Sequence, residues 1–298
     1  MGSSRFDSLA YTAYSTTNIA SKSTREIFTA SRIKADFDPK NITMRESRDS
    51  TANPESTAII IGLDVTGSMG IVLDAMIRGL GTLMTEIYDK KPVSDPHVMC
   101  MGIGDVAAGD SAPLQVTQFE ADIRIAEQLK DIYLERGGGG NDSESYTLPW
   151  YFAGMRTDID CHKKREKKGY IFTVGDECVP STLTSTQLGC IGLHDQQSYT
   201  AKELYDLASQ KYDIFHIMIE EGSYMRGRRD KVVNSWTDLL GQHAIALSDH
   251  TKLPELIVST IMRNEGKTDE EIMAAWSDSS TSEAVRRSLN INLRAVGR

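Results

Sequence analysis

The 298-residue sequence has no apolar run near the ~20 residues needed to span a bilayer, so no transmembrane helix is expected. Its opening residues, Met1-Gly2-Ser3-Ser4-Arg5-Phe6, lack the apolar stretch of a signal peptide. Phe6 also stands where a myristoylation site has Ser or Thr. Basic charge is in deficit: Lys+Arg is 33 against Asp+Glu 42, a formal net charge of -9. Such a chain lacks the positive surface that nonspecific phosphate binding requires. The expectation is a cytoplasmic protein with neither nucleic-acid nor membrane partners.

Cysteine is scarce as well. Cys100, Cys161, Cys178 and Cys190 form no CxxC pair, which argues against a disulfide framework. Zinc would need Cys161-His162, Cys178 and Cys190 with His194 to be gathered together, and their spacings match no zinc motif. Buried or loop thiols kept reduced are the simpler expectation. A phosphate-binding P-loop is missing too, because no Gly-Lys-Ser/Thr follows the Gly137–Gly140 run.

What is present is an ordinary globular composition, 40% apolar and 25% charged, enough to bury a sizeable core. Residues 1–56 are rich in Ser and Thr without sustained periodicity, and read as an extension that wraps the main domain or stays mobile. Asn53-Pro54 marks a boundary. From Thr57 onward, strands alternate with helices. Ala58–Leu63, His97–Ile103, Tyr170–Val174, Ile214–Ile219 and Ala244–Leu247 read as strands, the first two as continuous apolar runs of the kind buried on both faces. Leu114–Phe119 alternates, as a half-exposed edge strand would. Helices are expected from Val72 to Ile87 and over Ala121–Leu134, Tyr146–Met155, Ala201–Lys211, Arg229–Leu240 and Leu253–Arg263. Gly266 is a helix stop, and Thr268-Asp269-Glu270-Glu271 a capping box that opens a tail helix. The organisation expected is an extension over 1–56, a doubly wound α/β domain over 57–266, and a helical tail over 267–298. Its sheet is mostly parallel, with one antiparallel edge strand and helices on both faces.

In such sheets ligands sit beyond the carboxyl ends of the strands. Asp64-Val65-Thr66-Gly67-Ser68-Met69-Gly70 follows the first strand, and Gly175-Asp176-Glu177 follows a later one. Gly137–Gly140 leads into Asn141-Asp142-Ser143-Glu144-Ser145 before the helix at Tyr146. Carboxylates, hydroxyls and amides are hard oxygen donors, suited to Mg2+, Mn2+ or Ca2+. Helix capping alone would also account for Asp, Thr and Ser at such a turn.

Asp64-x-Thr66-Gly67-Ser68-Met69 directly after a buried strand resembles the metal-ion-dependent adhesion site of the von Willebrand factor A (VWA) family. The glycine-rich third loop, the strand-end Asp176 and the edge strand recur in the family's order, and the resemblance spans residues 57–266. It implies that Thr66 and Ser68 bind the ion directly and that Asp64 and Asp176 reach it, often through water. The family's third-loop ligand is usually Thr or Asp; Asn141 aligns best, with Asp142 and Ser143 close behind. Val174-Gly175-Asp176 replaces the usual Thr-Asp-Gly. The resemblance further implies a non-enzymatic adaptor or scaffold whose metal captures an Asp or Glu of a protein partner. Intracellular members of the family often work beside AAA+ ATPases of the MoxR type.

A rival from another class exists. Asp64-Val65-Thr66-Gly67-Ser68 is also similar to the Asp-x-Thr-Gly-Thr of haloacid-dehalogenase-like phosphoryl-transfer enzymes, where Asp64 would be the nucleophile. Thr66 stands where the soluble phosphatases of that class carry an acid/base aspartate. Two basic clusters, Lys163–Lys168 and Arg226–Arg229, read as solvated loops or as an anion or acidic-partner patch. His97 and His216 fall within strands and are expected in the core or at a sheet end.

Overall fold

The computed structural model describes residues 4–135 and 141–291, the Ser68 side chain excepted. Six strands build the central sheet: β1 (Thr57–Asp64), β2 (Pro96–Ile103), β3 (Leu114–Val116), β4 (Gly169–Gly175), β5 (Tyr212–Ile219) and β6 (Ala244–Leu247). Their spatial order is 3-2-1-4-5-6, with every neighbouring pair parallel except β3 on β2. This is a doubly wound α/β fold. The continuous apolar runs become strands because both faces are covered. Ile59, Ile61 and Leu63 point into one buried cluster, Ala58 and Ile60 into the other.

On the first face lie α1 (Gly70–Lys90), the short α2 (Arg124–Leu129) and, from the far end of the chain, Leu253–Asn264. Val72, Met76, Leu80, Leu83 and Ile87 form the buried stripe of α1, which stops at Lys91 in a left-handed conformation (φ 47°). The second face carries α3 (Leu148–Arg156), α4 (Ala201–Ser209) and α5 (Ser223–Leu240), anchored by Trp150, Leu204 and Trp236. No helix among the described residues is long and apolar enough to cross a membrane.

Three expectations need correction. The helix expected over Ala121–Leu134 is only α2, because the Gln115 side chain accepts from the Tyr133 N–H (2.8 Å) and donates to its carbonyl (2.7 Å). Those bonds draw the chain out of the helix and against the edge strand. The edge strand itself is buried throughout, not half-exposed. Short 3-10 turns at Ala35–Phe37 and Pro39–Asn41 pack on it, and Arg45 donates to the Val116 carbonyl (3.0 Å), which blunts an open sheet edge. Finally, α5 starts at Ser223, six residues earlier than the pattern suggests, with non-helical dihedrals at Arg228 (φ -141°, ψ 30°).

Residues before Thr57 pack on the sheet layer. Helix Ser8–Asn18 lies on α1, where the Tyr11 hydroxyl donates to the Ile77 carbonyl (2.6 Å). Strand Arg45–Ser47 pairs in parallel with Thr157–Ile159. At the other end, Gly266 (φ 85°) follows the last sheet-covering helix, and Thr268 and Glu271 cap helix Asp269–Ala274 reciprocally.

Candidate metal centre

The strand order reverses between β1 and β4: the chain runs outward from β1 to β2 and β3, and outward the other way from β4 to β5 and β6. A crevice forms at such a switch point, at the carboxyl ends of the strands. Asp64 is the last residue of β1, and Asp176 the first residue after β4. Topology alone therefore puts the two aspartates beside each other.

Local packing fixes their orientation. Asp64 is fully buried; its Oδ1 accepts from the Thr66 backbone N–H (2.9 Å) and hydroxyl (2.6 Å), and its Oδ2 from the Tyr146 hydroxyl (2.7 Å). Asp176 Oδ2 accepts from the Tyr224 N–H at the start of α5 (3.0 Å). Two glycines make the approach possible. A Cβ on Gly222 would stand 2.2 Å from the Asp176 carboxylate, and one on Gly175 would stand 2.1 Å from the Tyr146 oxygen. Behind Tyr146, the buried His216 ring stacks on Trp236 (3.5 Å between centroids), whose Nε1–H donates to the Glu177 carbonyl (2.8 Å).

Three more acids belong to the same place. Asp105, just past β2, is buried; its oxygens accept from the amides of Ala107 (2.8 Å) and Ala108 (3.1 Å) and from the Asn141 side-chain amide (2.6 Å). Glu144 is buried and Glu177 half-buried. Glu144 Oε2, Glu177 Oε2 and Asn141 Oδ1 are each buried without a hydrogen-bond partner.

Among the described residues, no Lys, Arg or His forms an ion pair with Asp64, Asp105, Glu144, Asp176 or Glu177. For Asp64, Glu144, Asp176 and Glu177 the electrostatic consequence has one direction. Burial, then the neighbouring Asp64, Glu177 and Asp105, push Glu144 far above the ordinary carboxyl range. Burial raises Asp64 despite the Thr66 and Tyr146 hydrogen bonds, and raises Asp176 despite the Tyr224 amide. Glu177 is pushed up to about 7 by burial and then by Asp176, Asp64 and Asp105. These carboxyls lack a positive partner, and a divalent cation is the group that would supply one.

The sequence-derived set thus divides. Asp64, Thr66 and Asp176 meet at the crevice, and the Ser68 side chain and Gly137–Gly140 lie outside the described residues. Asn141 reaches the cluster through Asp105 and keeps a bare oxygen there. Asp142 turns away to Lys231, and Ser143 forms a bridge with Cys178. Glu144, Glu177 and Asp105 had no assigned role; the only cue in the sequence was an acid within two residues of a strand end or loop end. The thiols and histidines weighed for zinc are not gathered. Among the described residues, the one trio of His, Cys, Asp or Glu ligand atoms within 4.8 Å of one another is Glu221, Asp249 and His250. There Glu221 Oε2 already accepts from the His250 N–H (2.7 Å) and is 2.6 Å from His250 Nδ1. The acids of the crevice form no such trio.

No protein-family model matches the chain, and no curated protein matches it. Among solved structures it is similar to the pilus adhesin SpaC from Lactobacillus rhamnosus GG, in the open conformation (TM-score 0.43, 9% identity) and in a second crystal form (TM-score 0.44, 10% identity). The alignments cover 74% of this chain but only 31% and 32% of the adhesin, so the chain spans about a third of that protein's length.

Proposed function

We propose that the crevice between β1 and β4 is a divalent-cation site of the VWA adhesion type, and that the protein is a non-enzymatic binding module. The observation that carries this reading is the group of buried and half-buried acids that meet no cation among the described residues, two of them, Glu144 and Glu177, each with a bare oxygen. Asp64, Thr66 and Asp176 would hold Mg2+ or Mn2+, with Ser68 from the same turn and Glu144 or Asn141 from the third loop. The ion, when bound, would offer an open coordination position to a carboxylate from outside. The chain's own part is to present hydroxyls and shared carboxyls in a fixed cradle. Tyr146 and Thr66 clamp the two oxygens of Asp64, while the Tyr224 amide fixes Asp176.

What disfavours the phosphoryl-transfer alternative is Thr66: it stands where the soluble phosphatases of that class carry an acid/base aspartate, and its hydroxyl donates to Asp64 (2.6 Å). The partner we infer is a protein that offers Asp or Glu, and an AAA+ ATPase of the MoxR type is the first to test. A cytoplasmic setting agrees with four free cysteines, three of them buried.

Titration calorimetry with Mg2+ and Mn2+ tests the site. Binding is expected in the wild type, with a loss of at least about tenfold in Asp64→Asn and in Asp176→Asn, since each removes a charged group at the ion. Unchanged isotherms in both variants would overturn the assignment. Pull-downs with and without chelator then test the partner's dependence on metal.

A further inference from the structure

The basic cluster Arg226-Gly227-Arg228-Arg229 has so far played no part, yet it stands on α5, the helix whose first turn holds Asp176. Tyr224 joins the two: its N–H donates to Asp176 Oδ2 (3.0 Å), and its ring lies under the Arg228 guanidinium, 4.6 Å from centroid to Cζ. From the other side, Asp142 of the third loop pairs with Lys231 and reaches Arg228 at 3.9 Å. Asp142 is also tied to the loop after β4, since its carbonyl accepts from the Cys178 N–H (3.1 Å). A rim of cations therefore borders the acidic crevice within one helical segment.

These cations are poorly neutralised. Arg228 and Lys231 share the single carboxylate of Asp142, and all three side chains are about half exposed (55%, 53% and 53%). Arg226 is exposed and, among the described residues, makes no ion pair. Arg229 differs, because it is taken up by Glu220 (2.8 Å). The exposed Asp230 of the same helix pairs with none of them. In a chain of net charge -9, four basic side chains within residues 226–231, beside a candidate metal site and opposite the one carboxylate of Asp142 and that of Glu220, are a specific feature.

We propose that Arg226, Arg228 and Lys231 form a second subsite that selects an acidic protein segment, one carboxylate of which goes to the metal while neighbouring carboxylates pair with the rim. This rests on the metal reading above and adds to it the class of partner: a run of acidic residues, not an isolated Asp or Glu. Asp142 is the internal stand-in for that run. It occupies Lys231 and Arg228 until a partner's carboxylate displaces it. Arginine over an aromatic ring is well placed for this, since stacking pre-orients a planar donor fork for a carboxylate.

Two fluorescent peptides of equal length test the subsite by anisotropy at low ionic strength. One carries a single Asp among Gly and Ser, and the other the same Asp flanked by further Asp residues. With Mg2+ present, the acidic-run peptide should bind the wild type about tenfold more tightly, with the gain shrinking as salt is added. Arg226→Ala combined with Arg228→Ala should erase that gain and leave single-Asp and Mg2+ affinities within about twofold of wild type. Arg226→Glu should invert the preference, and Asp142→Asn should raise affinity for the acidic run alone by a few-fold. Equal affinities of the two peptides for the wild type, or a gain that survives the double variant, would overturn the subsite. So would failure of both peptides to bind, or an oligonucleotide of equal charge that binds as well as the acidic run. An arginine-dependent gain that persists in EDTA, in a protein that takes up no Mg2+, would retain the basic rim and discard the metal reading.

Discussion

The two ends of strand β1 carry the same kind of residue in opposite states. At its carboxyl end, Asp64, Glu144 and Asp176 are buried and Glu177 is half-buried, none meets a cation among the described residues, and all are shifted upward. At its amino end, seven residues or ~23 Å away, the acids are more open to solvent, Asp160 apart, and each is paired with a cation. Arg48 bridges Glu46 (2.6 Å), Asp158 (2.5 Å) and Asp160 (3.0 Å), while Arg165 grips both oxygens of Asp49 (2.7 and 3.1 Å). Here Asp49 and Asp160 are lowered, their desolvation outweighed by Arg165 and Ser56 in one case and by Lys164 and the Asp49 amide in the other. Asp158 is lowered chiefly by Arg48. The ends differ in enclosure as well as in counter-charge, and Asp160, buried yet met by Arg48 and Lys164, is the member in which the counter-charge decides. One end is paired within the chain, and the other meets no cation of its own among the described residues, which is what the proposed metal would supply.

The sharpest way to test that contrast is to supply the missing charge. Mg2+ at 100 times its Kd should stabilise the folded protein by about 2.7 kcal/mol, through mass action alone. The effect should depend on pH in a defined sense. An acid whose pKa is raised by folding holds more protons in the folded than in the unfolded state. The metal-free protein should therefore lose stability as pH climbs from about 4.5 through 7, the window between the ordinary Glu value and that of Glu177. Added Mg2+ should flatten this decline, because it competes with protons for the same oxygens. Thermal melts at pH 5 and pH 8, with Mg2+ and with EDTA, measure both effects. A metal-free protein that melts higher at pH 8 than at pH 5 would remove the contrast.

The converse experiment takes a cation away from the paired end. Arg48→Met should cost about 1–3 kcal/mol in urea unfolding, mostly from leaving the buried Asp160 with fewer partners. Mg2+ affinity should stay the same, since the two ends share no ligand. A loss under about 0.5 kcal/mol would mean that Lys164 and the Asp49 amide suffice for Asp160.

A smaller effect is expected at Tyr146→Phe. It deletes one hydrogen bond to Asp64, worth about 1 kcal/mol, while the ring still packs against His216 and Trp236. Mg2+ affinity should drop several-fold as the Asp64 carboxylate loses its orientation. An affinity within twofold of wild type would reduce Tyr146 to core packing.

Much of this contrast could be read ahead of the structure, and the unread part has a physical reason. The apolar runs at 58–63, 97–103 and 170–174 announce strands because a parallel sheet under two helix layers needs no polar alternation. Asp64 and Asp176 were legible as strand-end acids for the same reason. Asp105, Glu144 and Glu177 were not, because their importance comes from burial, which only the meeting of three loops creates. The Arg45–Ser47 and Thr157–Ile159 pair escaped notice since three residues carry no detectable period, and their partnership joins segments over a hundred residues apart. The shortened α2 depended on one inward Gln115, a tertiary bond that overrides helical periodicity.

The clasp between Arg45–Arg48 and Thr157–Asp160 also dictates a timetable. A ribosome delivers Arg48 about a hundred residues before Asp158 and Asp160, which will hold it, and Tyr11 well before the helix it packs on. The segment before Thr57 thus emerges ahead of β1 to β3, on which it docks, and its closure on Asp158 and Asp160 waits for the chain to pass α3. During synthesis the apolar side chains of this leading segment, Ile19, Ile27, Phe28 and Phe37, have no surface to cover. Their docking ties residues 8–48 to a segment more than a hundred residues further on, so the clasp closes only once the chain has passed Asp160.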